Sequence, residues 1–113
     1  MATRANIGIK LDNGQYKMIY SHWDGYPGHV GKVLVQHHDS YENAIELIEG
    51  TTIRSFHEDG SYDRYDDGEA DYYDSIEDAL HGYDYAYVFI EQWKCYTKSM
   101  YGNIEQVDLK TWR

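Results

Sequence analysis

A chain of 113 residues has room for one domain with one modest core, and a composition of 42% hydrophobic and 16% aromatic residues excludes a disordered acidic tail. Its net charge of −10 is concentrated: between Glu58 and Asp84 eleven carboxylates face a single cation, Arg64, while the rest of the chain carries nine acids and nine bases. That sign excludes nucleic acid and anionic membrane as direct ligands, because a phosphate surface demands basic side chains.

In chain order, residues 5–11 alternate apolar with other residues, Asp12-Asn13-Gly14 is a tight-turn signal, and residues 16–22 resume in β-type residues, which together predict an opening hairpin. Asp24-Gly25-Tyr26-Pro27-Gly28 reads as a turn, with Pro27 suited to the first position of a following helix whose inner face is Val30, Val33, Leu34 and His37. Asp39 with Glu42 has capping-box spacing for a second helix that turns Ala44, Ile45 and Ile48 inward and stops at Gly50. Residues 51–56 predict a strand, Asp59-Gly60 a turn, and residues 62–73 a strand or an ordered loop.

Asp74 and Glu77 repeat the capping-box spacing and predict a short helix ending at His81-Gly82. Residues 85–90 form the most apolar run of the second half and predict a central strand, with residues 93–97 as its hairpin neighbour and a last alternating segment at 104–109. No repeat, linker or boundary interrupts residues 1–113. The pattern predicts an α+β fold: a mixed or mainly antiparallel sheet of about five strands, with two to three helices packed on one face.

Met1-Ala2-Thr3-Arg4 is followed by no apolar stretch of signal-peptide type, and no run reaches membrane-spanning length, so a cytoplasmic location and no membrane partner are expected. Cys95 is the only cysteine, which leaves no internal disulfide and no cysteine-based zinc site; in its aromatic strand it reads as a small core residue. There is no glycine-rich phosphate loop and no serine in a nucleophile elbow, and no cofactor is expected.

The segment Ile19-Tyr20-Ser21-His22-Trp23-Asp24-Gly25-Tyr26-Pro27-Gly28-His29-Val30-Gly31 resembles the signature of a family of small proteins carried by bacteriophages and prophages. Asp67-Gly68-Glu69 and the stretch from Tyr85 to Trp93 resemble later landmarks of that family, so the likeness spans most of the chain. Where the family more often has an arginine beside the Gly-Glu pair, this chain has Asp67, and residues 58–78 are unusually acidic. The resemblance implies a phage origin and a similar fold, and it leaves the function open.

Two groups of residues are candidates for function. His22, Trp23, Asp24, Tyr26, Pro27 and His29 form either a rigid structural corner, with Trp23 and Tyr26 packed on the helix and Asp24 satisfying turn amides, or a divalent-metal site in which His22, Asp24 and His29 are the ligands of a small metal-dependent enzyme. The second group is the acidic segment, where Asp63, Tyr65, Asp66, Asp67, Glu69, Asp71, Tyr72, Tyr73, Asp74, Glu77 and Asp78 interleave flat contact area with negative charge. In an extended chain Asp67, Glu69 and Asp71 would stand about 6.6 to 6.8 Å apart along one face, a row that imitates a phosphate backbone. The expected function is non-enzymatic: inhibition of a host nucleic-acid-handling or antiviral defence protein with a basic surface, by DNA mimicry. A solvated face that serves solubility and a self-assembling, homo-oligomeric phage accessory protein are the other readings.

Overall fold

A computed structural model of the chain describes residues 2–113. β1 (Ala5–Lys10) and β2 (Tyr16–Ser21) form the opening antiparallel hairpin, in register from Ala5 opposite Ser21 to Lys10 opposite Tyr16. A wide π-type turn over Pro27–Gly31 runs into α1 (Lys32–His37), and α2 (Tyr41–Ile48) follows. β3 (Ile53–Phe56), β4 (Tyr62–Arg64) and β5 (Asp71–Tyr73) precede the short α3 (Ile76–Leu80), and β6 (Tyr85–Ile90), β7 (Gln92–Lys98) and β8 (Ile104–Val107) complete the chain.

The α+β class stands, but the sheet has eight strands where about five were expected. Their order is β4-β3-β2-β1-β6-β7-β8, with β5 also paired to β2. The outer side of β2 is shared: residues 16–18 pair antiparallel with β5, and Ser21 pairs parallel with Ile53 of β3. β1 and β6 run parallel, so the sheet is mixed. Part of the excess lies in residues 62–73, which divide into two three-residue strands around an irregular loop; elements this short carry too little alternation to be seen.

A second correction concerns the helices, which were expected on one face and lie on both. On one face, α1 and α2 bury Val33, Leu34, Ala44, Leu47 and Ile48 against Ile7, Ile9, Ile19, Tyr87, Phe89, Trp93 and Cys95. On the other, α3 buries Ala79 and Leu80 against Met18, Ala86 and Val88, with the partly buried Ile76 packed beside them. β6 is therefore covered on both sides, which is why it reads as an unbroken apolar run.

Local signals needed adjustment too. The helix caps are Ser40, accepting from the amide of Asn43 at 3.1 Å, and Ser75, accepting from the amide of Asp78 at 3.1 Å; each lies one residue after the aspartate that the spacing suggested. His37 is exposed and not part of the inner face. Its neighbour His38 turns inward, with Nε2 2.8 Å from the Gly60 carbonyl, and burial lowers its pKa. Among the described residues no helix is long and apolar enough to cross a membrane.

Candidate functional site

The lightly covered face carries a cleft of about 390 Å³. Its floor is Asn6, Met18 and Tyr20, side chains on one face of the first hairpin; Thr52, Gly68, Glu69, Asp71, Tyr73, Tyr83 and Arg4 wall it. Glu69 and Asp71 also border a neighbouring cleft of about 370 Å³ with Lys17, Glu49 and Tyr72, so residues 69–71 form a ridge between the two.

The ridge is held in place. Thr52 donates to the Asp67 carbonyl through its amide at 3.2 Å and its hydroxyl at 3.0 Å, Tyr65 donates its amide to Thr52 at 2.9 Å, and the Thr51 hydroxyl donates to the Tyr65 carbonyl at 2.7 Å. At Gly68, φ is +87° and an added Cβ would stand 2.5 Å from the Thr52 methyl, so only glycine suits both the backbone and the space. This turn replaces the straight row expected for Asp67, Glu69 and Asp71: the first precedes the bend, and the other two line the clefts.

All eleven carboxylates from Glu58 to Asp84 are exposed. Two of them form ion pairs among the described residues, Asp63 with His57 at 2.7 Å and Glu77 with Lys98 at 3.9 Å. Arg64, the cation within the segment, serves elsewhere: its guanidinium donates to the Glu46 carbonyl at 3.1 Å, to Leu47 at 3.0 Å and to Thr51, where it closes the C-terminal end of α2. The charge of the loop is thus left uncompensated. Asp63 is set apart from the ridge, on the β3–β4 hairpin beside His57, while Asp74 accepts from Gln15 at 3.0 Å and Asp78 sits in the first turn of α3.

The tyrosines are as ordered as the loop. Tyr20 and Tyr83 stand 5.7 Å apart, Tyr20 and His22 5.7 Å, His22 and Trp23 4.7 Å, and His22 and Tyr65 6.1 Å, a run of rings from the cleft to the Trp23 corner. Burial, then the neighbouring Tyr73 phenol and the Asp71 carboxylate, push the Tyr83 hydroxyl up to about 12. Burial raises Tyr20 as well, opposed by the Arg4 guanidinium against its hydroxyl. Tyr72 is 58% exposed and has Lys17 over its ring at 5.7 Å.

At the corner, Trp23 and Tyr26 are 41% and 43% exposed, and the Tyr26 ring stands 6.3 Å from that of His29. The turn is closed by Gly25, whose amide donates to Thr3 at 2.8 Å and whose carbonyl accepts from the buried Tyr87 hydroxyl at 2.7 Å; Asp24 adopts φ 54°. His22 is hydrogen-bonded through Nδ1 to the Tyr20 hydroxyl, and His29 Nε2 lies 2.8 Å from the Phe56 carbonyl. Among the described residues no group of three or more His, Cys, Asp or Glu is placed to hold a metal ion, so His22, Asp24 and His29 are not brought together as ligands.

Sequence reasoning missed Arg4, Asn6 and Tyr20 as site residues. One signal was available for Asn6, a lone polar residue in an apolar strand, and the hairpin register sets it opposite Tyr20. Compared with models of known protein families, with curated proteins and with solved structures, the chain finds no match.

Proposed function

We propose that this protein is a non-enzymatic binder of phage type that captures a basic nucleic-acid-handling or antiviral defence protein of its host cell by presenting carboxylates and tyrosine rings where that partner takes nucleic acid. One observation carries the reading: an ordered, uncompensated acidic loop lies beside a continuous run of aromatic rings. Ordering matters because a fixed loop loses less conformational entropy on binding than a solvated tail, and tyrosine adds contact area at small entropic cost. Concentrated charge of one sign would make association fast and salt-sensitive.

The test is capture from host lysate, with nucleic acid as competitor. The fourfold variant Asp66→Asn, Asp67→Asn, Glu69→Gln, Asp71→Asn should reduce capture about tenfold and flatten its salt dependence; capture that survives unchanged removes the reading. A self-assembling role is favoured by a different part of the molecule, where the outer edge of β8 has no strand partner among the described residues and Met100 and Tyr101 in the preceding turn are 89% and 85% exposed. Light scattering across a range of concentrations reads it: a constant monomer mass excludes assembly through that edge.

A further inference from the structure

We infer that the cleft over Asn6 is a receptor for a single arginine side chain, the anchor by which a basic partner is held; the inference rests on the acidic-face reading above. The sign of the surface asks only for a cation. The cleft asks for more, because its polar groups differ in kind and converge on one space.

Asn6 is 1% exposed, and its Nδ2 donates to the Ala79 carbonyl at 3.1 Å, which fixes the plane of the amide. Its amide oxygen accepts no hydrogen bond among the described residues, and Asn6 is one of the residues that line the cleft. A fixed, neutral acceptor at the floor and two carboxylates, Glu69 and Asp71, on the wall suit a ligand with several N–H donors spread in a plane. The walls are also ring-rich, with Tyr20, Tyr73 and Tyr83 around the opening. A flat cation can lie on such rings while donating at its edge, which a guanidinium does and a compact ammonium does poorly. Arg4 is the cation among the residues lining the cleft, and it pairs with neither Glu69 nor Asp71 among the described residues.

The probes are two capped tripeptides, acetyl-Gly-Arg-Gly-amide and acetyl-Gly-Lys-Gly-amide, titrated into the full chain and followed by two-dimensional NMR. The arginine peptide should shift the Asn6 side-chain amide and the rings of Tyr20, Tyr73 and Tyr83 saturably, and bind about tenfold more tightly than the lysine peptide. Glu69→Gln with Asp71→Asn should abolish that response. Asp66→Asn with Asp67→Asn, which removes the same charge from outside the cleft, should change it by about twofold or less. These carboxylates are exposed, so both double variants are expected to fold. Equal binding of the two peptides, or equal losses in the two variants, overturns the arginine receptor and leaves the acidic face intact as a diffuse charge. A saturable arginine response in a protein whose fourfold variant still captures its host partner overturns the mimicry and leaves the receptor.

Discussion

The two faces of the sheet are built from the same strands to different ends. Beneath α1 and α2 the side chains interlock into one large apolar cluster that includes Trp93, whose indole N–H donates to the His38 carbonyl at 2.8 Å, so that even its polar atom is satisfied inside. Beneath α3 only five residues form a buried cluster, and the five-residue helix leaves Asn6, Tyr20 and Met18 bordering open space. Apolar packing is therefore concentrated on one face, and the cleft opens on the other. The acidic loop borders that cleft and is tied to Thr51 and Thr52 through backbone and hydroxyl contacts, with Ala70 packed against the large apolar cluster.

That division can be broken or sharpened by experiment. Leu34 is a fully buried residue of α1, and Leu34→Ala should lower the free energy of unfolding in urea by about 2 to 5 kcal/mol while the arginine-peptide response of the remaining folded protein stays unchanged. Loss of that response in a still folded variant would show that the faces are not separable. Ser75→Ala, which removes the cap of α3, should cost about 1 kcal/mol and accelerate hydrogen exchange at the amides of 76–80, because the helix whose Ala79 carbonyl holds the Asn6 amide is loosened. Equal acceleration in α2 would argue against independent faces.

The smallest effect is an alkaline one. With its folded pKa raised to about 12 from an ordinary 10.0, Tyr83 holds its proton longer in the folded than in the unfolded chain. Its contribution is complete below the unfolded value and is lost as pH rises through the window between the two. Phenolate absorbance should show a late step near the top of that window, absent in Tyr83→Phe.

How much of this was legible depends on range. The opening hairpin, both helices of the first half and the central β6 follow from periodicity and turn residues over short windows, and all are present. Cap positions slipped because each helix is preceded by an Asp-Ser pair, Asp39-Ser40 and Asp74-Ser75, in which either side chain could cap; backbone geometry selects the serine. The concentration of charge was plain from composition, but whether Arg64 would neutralise it was not, since that depends on α2 ending beside β4. The cleft was the least visible part: it gathers residues 4, 6, 20, 52, 69, 71, 73 and 83, and only the topology that sets β5 and β1 on opposite sides of β2 brings them together.

The Gly68 turn has a consequence for how such a sequence can drift. No hydrogen bond fixes the carboxylates of Asp66, Asp67, Glu69 or Asp71 among the described residues, so selection for charge alone would let aspartate and glutamate interchange at these sites over generations. Position 68 has no such latitude, because a methyl group there strikes Thr52 and the backbone lies in the left-handed region. Homologues that keep this architecture should therefore vary at every acid of the loop and remain invariant at its single uncharged bend.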